Sequence, residues 1–481
     1  MLRKILILIM PSLLYGCQLQ PKYKAPNIEL PYYLDKYSIE QDKDIADKIG
    51  WWSRFEDPNL NMLIKETLEA NADILTAMTN VSMARAMLTL SEADRLPNIN
   101  IQGTAERTKP SKKLKASSSQ KTMNTFNLAT LLSYEIDLWG KVASSNKAAR
   151  ASLLAAENNK KAVFLTVTSE VATAYFNLLA LDSQISITKK LIKIQEEIYK
   201  LNQNLLQSGI SNGIILSQAE SSLAITKSQL PPLQQQLQEQ ENAIKIMLGR
   251  SPKDIIDKLV ERGKTIGNLP VPPIIPRILP SELLTQRPDI CAAEQDLIAA
   301  NAKIGVARAA YFPSLSLTGL LCLSSNSLSQ LFNSSASTSQ ISGNLSGPIV
   351  DFGRVSSNVK IAKISEQQYM IIYQNTIKTA FQEVADSLSA QKTSTDNFNN
   401  WQQNELALER VMNLTKERYK HGNVDYITVL EAEQQFLQAM LSGIGIKLKR
   451  LTAAVNLFHA LGGNWQDTMP RKILTTKPKI N

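Results

Sequence analysis

The sequence predicts a mainly α-helical protein made by duplicating one unit: two short β-strands and a long helical hairpin. Residues 141–208 and 354–421 are equal runs of 68 residues, framed by Gly140 and Gly209 and by Gly353 and Gly422, and neither contains Gly or Pro. With 19 Gly and 20 Pro in 481 residues, a breaker is due roughly every 12 residues, and these two residue types are what end helices. At about 1.5 Å per residue each run spans roughly 100 Å as α-helix, too long for a compact core to cover. The second observation is a repeated set of landmarks, and the third is two short segments per copy that alternate apolar and polar residues.

At the N-terminus, Arg3 and Lys4 precede an apolar run at 5–14, followed by Leu14-Tyr15-Gly16-Cys17. Residues 1–16 read as a secretory signal peptide, too short to span a bilayer. A small residue directly before Cys17 looks like the lipobox of bacterial lipoproteins, in which that cysteine is cleaved free and lipidated. Tyr15 departs from the usual small occupant, and an ordinary signal peptide with an incidental cysteine is the alternative. Gln18 stands where an Asp often retains lipoproteins at the inner membrane, so the resemblance points to the outer membrane. Residues 17–50, with Pro21, Tyr23, Pro26 and Pro31, read as a lipid-anchored, extended arm lying along the body.

The first repeat is placed at 51–270 and the second at 271–465, with a tail at 466–481. Trp51, Trp52 and Phe55 precede Asp57-Pro58, a helix start with proline at the first position, and the pattern stays helical to Arg95. Leu96-Pro97-Asn98-Ile99 then recurs as Phe312-Pro313-Ser314-Leu315, at an offset of 216. Trp139-Gly140-Lys141-Val142 recurs as Phe352-Gly353-Arg354-Val355, Gly209 as Gly422, and Leu248-Gly249 as Leu461-Gly462, all at 213. Strands are expected near 98–107, 123–137, 314–324 and 337–349 from period-2 alternation, joined by Ser- and Lys-rich loops at 109–121 and 324–337. Each is close to the roughly 10 residues that a tilted strand needs to cross a bilayer. Four strands cannot close, and a membrane barrel has no open edge, so strands that cross a membrane must be pooled from several copies.

Helical hairpins are expected at 141–248 and 354–461. Ile187, Leu191, Ile194, Ile198, Leu201 and Leu205 form a heptad seam. After the turn, Leu216, Ala219, Leu223, Thr226 and Leu230 form another, matched at offset 213 by Val429, Ala432, Phe436, Ala439 and Gly443. The second outgoing seam is read as Ala407, Val411, Leu414 and Arg418. Pro231-Pro232 and Ile444-Gly445, with Gly443 before it, are read as breakers interrupting both returning helices at one register.

Composition and chemistry exclude more than they suggest. The chain is 43% hydrophobic but only 6% aromatic, as suits long amphipathic helices. The 53 Lys and Arg against 43 Asp and Glu are scattered, with no basic block interleaved with aromatics, so nucleic acid is not an expected partner. Cys291 and Cys322 make no disulfide framework, and nothing near them suggests a metal site. No segment after the signal reaches about 18 consecutive apolar residues, so no transmembrane helix is expected there. His421 and His459 belong to no recognisable catalytic constellation. No enzyme activity and no cofactor are expected beyond a covalent lipid on Cys17.

These residues together resemble a known family, the TolC-type outer-membrane efflux factors, and within it the lipoprotein branch serving resistance-nodulation-division pumps. The resemblance is carried by Cys17 with its lipobox, Trp51-Trp52 and Phe55. It continues through Tyr134-Glu135-Ile136-Asp137-Leu138-Trp139-Gly140-Lys141, Gln286-Arg287-Pro288-Asp289-Ile290, Arg308-Ala309-Ala310-Tyr311-Phe312-Pro313 and Arg418-Tyr419-Lys420-His421-Gly422. It implies a homotrimer whose strands form one 12-stranded β-barrel in the outer-membrane lipid, continuous with a periplasmic α-barrel. It also implies a passive exit duct, docked to a periplasmic adaptor and fed by an inner-membrane transporter. In such proteins the tips hold the channel closed, which makes Tyr419, Gly422, Asp425, Glu431 and Gly209 the gate candidates here. Val424 and Ile215 depart from the arginine and aspartate of some members. The rival readings are a soluble periplasmic coiled-coil scaffold or adaptor, and the outer-membrane duct of a type I protein secretion system.

Overall fold

The computed structural model describes residues 19–24, 26, 50–109, 122–272 and 280–463. The signal peptide, Cys17, most of the 17–50 arm, the loop at 110–121 and the 466–481 tail lie outside the described residues. In chain order the helices are α1 (Pro58–Ala70), α2 (Ala72–Ala93), α3 (Lys141–Gln207), α4 (Gly213–Ser228), α5 (Leu230–Met247), α6 (Pro252–Asp257), α7 (Pro280–Gln286), α8 (Pro288–Ala309), α9 (Arg354–Lys420) and α10 (Tyr426–Ala460). The strands are β1 (Asn98–Thr108), β2 (Met123–Ile136), β3 (Ser314–Ser325) and β4 (Ser337–Ser346). Strand β4 ends three residues before the expected 349, because Pro348 has no N–H to donate to a ladder. The chain folds as two compact units, each drawing on both sequence copies.

The first unit comprises residues 1–28, 80–157 and 292–374. Its sheet is antiparallel throughout, in the order β1-β2-β3-β4. The register keeps like beside like: Ile99 faces Leu132, Leu132 faces Gly319, and Gly319 faces Ile341. The alternate rows carry Asn100, Gln102, Thr104, Asn127, Thr318 and Asn344. Within one row Asn127 Nδ2 donates to Thr104 Oγ1 (3.2 Å) and Ser324 Oγ donates to Asn127 Oδ1 (2.7 Å). The apolar row is solvent-exposed, Ile341 by 90% and Ile101 by 74%. Strands β1 and β4 are exposed along their whole length, whereas β2 and β3 are half-buried.

Next to the sheet, Trp139 stacks on Phe312 (centroids 4.6 Å apart) and its indole N–H donates to the Pro313 carbonyl (2.8 Å), so the end of β2 is pinned to the start of β3. The described part of the arm is hydrogen-bonded to α8. Arg308 donates to the Leu19 carbonyl (3.1 Å), Gln20 to Asn301 (3.3 Å) and Tyr23 to Glu294 (3.2 Å). A Cβ at Gly305 would come within 2.9 Å of Gln20 and 2.6 Å of Ser144, so glycine is what lets the arm approach.

The second unit comprises residues 29–79, 158–291 and 375–481. Its core is laid down by α3, where Phe164, Val171, Tyr175, Phe176 and Leu178 are buried against α1, α5 and α10. Trp51 stacks on Phe458 at 5.4 Å and Phe55 meets Phe176 at 4.9 Å. By length and composition α3 could cross a membrane, but 67% of its most apolar stretch is buried inside the protein, so it is a core helix. Asp57 caps α1 through Asn59 N–H (2.9 Å) while fully buried, and it also accepts from Tyr175 Oη (2.9 Å) and Lys264 N–H (3.2 Å).

The helical stretch from Pro58 to Arg95 is two helices, not one. It is divided at Asn71, whose Oδ1 accepts from Asp73 and Ile74 N–H and starts α2. The Asn71 side chain also donates to the Met247 carbonyl at the end of α5 (2.8 Å). At offset 216 stands Arg287, which donates to the Ala460 carbonyl at the end of α10 (2.9 Å). The two copies therefore close their returning helices from the same place with different chemistry.

Both hairpins form, with two corrections. In the first copy Pro231-Pro232 do divide the returning helix, into α4 and α5, because prolines in the first turn of α5 supply no N–H to the preceding carbonyls. In the second copy α10 runs unbroken through Gly443 and Gly445. Gly443 is not a breaker: a Cβ there would overlap the Trp401 indole, whose N–H donates to the Ala439 carbonyl (3.1 Å). The expected seams of α3, α4 and α10 are buried or half-buried, but on α9 Ala407, Val411, Leu414 and Arg418 are exposed. The inner positions are Trp401, Glu405, Leu408, Met412 and Thr415, a seam of the same 4,3,4,3 spacing on a different face of the helix.

Candidate functional site

The two tips are built from the same glycine and different neighbours. Gly209 and Gly422 both adopt positive φ (75° and 73°) with open space around the missing Cβ, so backbone conformation rather than crowding calls for glycine. Each turns the chain by folding N–H groups back onto the last helical turn: Gly422 onto the Tyr419 carbonyl (2.9 Å) and Asn423 onto the Arg418 carbonyl (3.0 Å), Gly209 onto Leu206 (3.0 Å) and Ile210 onto Leu205 (2.9 Å). At the first tip Asn212 then starts α4, its Oδ1 accepting from Ile214 and Ile215 N–H, both at 3.1 Å. At the second tip Asp425 occupies the equivalent cap of α10, but its side chain makes no cap hydrogen bond.

Of the gate candidates, Tyr419, Gly422 and Asp425 share the second tip, Glu431 is exposed one turn and more along α10, and Gly209 belongs to the other tip. The structure adds two residues that sequence reasoning missed. The Tyr419 ring packs against Tyr426 (5.4 Å, 43° between planes), and the Tyr426 hydroxyl donates to Glu197 Oε2 on α3 (2.9 Å). The second tip is thus tied to the outgoing helix of the first hairpin. That bond to a carboxylate, with partial burial, raises the Tyr426 phenol above its usual value and keeps it a donor. Lys227–Glu196 (2.8 Å) and Lys416–Glu433 (3.5 Å) join the two arms within each hairpin near the tips. Lys420 holds Glu417 ionised, its carboxyl below the ordinary range. Tyr426 was findable: at offset 213 its counterpart is Gly213, so an aromatic stands where the other copy has none. Glu197 gave no such signal.

An open antiparallel sheet whose apolar face is left uncovered, in a chain with two long helical hairpins, marks an outer-membrane channel protein. Water-soluble sheets bury that face; a membrane barrel presents it to lipid. The outer membrane efflux protein family model matches residues 63–250 and 279–463, and this chain belongs to that family. It is similar to the cation efflux system protein CusC of Escherichia coli O6:H1, 33% identical over 456 residues, 94% of this chain and 97% of that protein. The probable outer membrane lipoprotein SilC of Salmonella typhimurium is 31% identical over 462 residues, 94% of this chain and 97% of its own. Among solved structures, the Campylobacter jejuni CmeC outer membrane channel is similar with a TM-score of 0.84 and 31% identity, covering 93% of this chain and 95% of that one. The protein is an outer-membrane exit duct for efflux.

Proposed function

We propose that three copies of this chain form the passive exit duct of a tripartite efflux system, closed at rest by the second helical tip. The observation that carries the assembly is the sheet with two bare edges. Four strands are about half of the smallest single-chain barrel, and an unpaired edge is untenable in lipid; three copies give twelve strands, as the family resemblance implies. The rows opposite the apolar face then line the barrel with amides and hydroxyls. Such a lining passes many hydrated solutes, so the choice of cargo falls to the inner-membrane transporter, with a periplasmic adaptor docking at the tips.

The gate reading rests on the Tyr419–Tyr426–Glu197 contact. Gly422 sets the turn that presents both tyrosines, while Asp425 and Glu431 would repeat around the threefold axis as carboxylate rings that favour cations. Gly209 caps the anchored hairpin and takes no part in closure. Lipidation at Cys17 fits the arm: Leu19, two residues on, is held by Arg308, six residues before Ser314 at the start of β3. Mass measurement of detergent-extracted protein tests the assembly; three chains per particle support it, and a stable monomer overturns it. Co-purification with an adaptor and transporter from cross-linked cells tests the system, and lipid detected on wild type but not on Cys17→Ser tests the anchor.

A further inference from the structure

A cleft of about 660 Å³ opens in the second unit between α3, α9, α10 and the loop at 262–268. Its volume lies in the range of small-molecule sites. Much of the lining is apolar: Leu179, Ile187, Ile266 and Ile444 are buried there, beside the half-buried rings of Phe398 and Trp401. The charges that line it do not balance. Lys190, Arg262, Lys264 and Lys447 stand against two carboxylates, Asp182 and Glu405. Arg262 holds Asp182 (2.9 Å) and also pairs with Glu241, and Lys264 reaches Glu56 at 3.8 Å. Burial and the Glu409 charge raise the Glu405 carboxyl, which makes it a poor counter-ion. Neither Lys190 nor Lys447 has an ion-pair partner among the described residues.

Lys447 instead lies over the Phe398 ring (5.3 Å to the centroid), and Arg450 lies over the same ring at 4.7 Å. Burial and the neighbouring Arg450 hold the Lys447 ammonium below its ordinary value. Arg450 Nε is itself buried without a hydrogen-bond acceptor among the described residues. A half-buried cation flanked by a second cation is costly to keep charged, and an anion in the cleft relieves that cost. We propose that the cleft binds a small organic anion, its apolar body against Phe398, Trp401 and Ile444 and its carboxylate or sulfonate at Lys447, with the exposed Lys190 as second cation. A purely apolar ligand leaves the cations unmatched, and a bare inorganic anion leaves the rings and isoleucines wet. Every lining residue belongs to one chain, so the site stands apart from the threefold assembly and from the gate.

The test is calorimetric titration of the full-length protein in non-ionic detergent with naphthalenesulfonate. The uncharged naphthalenesulfonamide and a protein-free detergent blank are titrated beside it. Saturable binding of one sulfonate per chain is expected, about tenfold tighter than the sulfonamide, as a charge-assisted hydrogen bond gives. Lys447→Met should weaken the sulfonate about tenfold and leave the sulfonamide unchanged. Lys190→Met, at an exposed position, should weaken it about two- to threefold. Lys449→Met, exposed on α10 and outside the cleft, should bind as the wild type does. Should Lys447→Met fail to fold, the ratio of the two probes on wild type and the Lys190→Met result still decide. Equal affinity for the two probes, or unchanged sulfonate binding by folded Lys447→Met, would overturn the anion site. Absence of saturable binding to the wild type would overturn the cleft as a ligand site altogether.

Discussion

The first hairpin is fastened to a core along much of its outgoing helix, from Phe164 to Ile194, and its tip is capped by a side chain, Asn212. The second hairpin is more exposed along α9, its returning helix is unbroken, and its tip is left without a side-chain cap. What the second tip has instead is the tyrosine pair and a hydrogen bond reaching 229 residues back to Glu197. One duplicated plan has thus diverged into a fastened, capped hairpin and a more exposed one without a side-chain cap. The difference argues that movement, where it occurs, belongs to the second hairpin, and each of the following substitutions probes the two copies at one shared slot.

The largest contrast is expected at the anchors of the returning helices. Arg287 is buried against Asp289 (2.6 Å), Glu383 (2.7 Å) and the Ala460 carbonyl. Arg287→Ala should cost about 3 kcal/mol by emptying a buried site and leaving the Ala460 carbonyl unpaired, the Asp289 and Glu383 carboxylates being exposed enough to be hydrated. Asn71→Ala should cost about 1.5 kcal/mol through its lost cap and bond. Equal losses in chemical unfolding would remove the asymmetry. Burial alone would raise the Asp289 carboxyl, but the Arg287 hydrogen bond and charge outweigh it and hold that carboxyl below the ordinary 3.8. A folded value below the unfolded one gives stability that is full above the unfolded value and lost as pH falls through the folded one. The second anchor should therefore weaken only below about pH 4, and Asp289→Asn should flatten that part of the stability curve.

Next comes Gly443→Ala, expected to cost about 2 kcal/mol because its Cβ would overlap the Trp401 ring. Leu230→Ala at the matching slot removes a half-buried side chain and should cost about 1 kcal/mol. Adding Trp401→Phe to Gly443→Ala should recover part of the loss, and failure to do so would separate the glycine from the indole. The smallest contrast is at the caps. Asn212→Ala should cost about 1 kcal/mol, and Asp425→Ala less than about 0.5 kcal/mol, since only its charge near the helix start is lost. The reverse order in thermal unfolding would mean that the second tip is the rigid one.

Much of the architecture was legible because glycine and alternation leave local marks. The glycines that frame the long runs adopt the left-handed conformation, and the four strands begin within a residue of the expected positions. The signal was weakest where two physical causes share one residue type. Gly443 reads alike whether it breaks a helix or makes room for a ring, and only its distant partner Trp401 decides. On α9 the exposed stripe Ala407, Val411, Leu414 and Arg418 has the same 4,3,4 spacing as the inner one, and Glu405 and Thr415 among Trp401, Leu408 and Met412 disguise the stripe that faces inward. The tie between Tyr426 and Glu197 is a contact of tertiary structure, and no spacing in a single chain announces it. The soluble-scaffold reading fails on the sheet, whose apolar face is left exposed.

Single-channel recording in planar bilayers addresses the gate directly. Tyr426→Phe and Glu197→Gln each weaken the same hydrogen bond, and each should raise open probability several-fold, with Tyr419→Ala raising it further. Asn212→Ala, at the capped tip, should leave it as in the wild type. Equal behaviour of all four variants, or opening only with Asn212→Ala, would contradict a gate at the second tip.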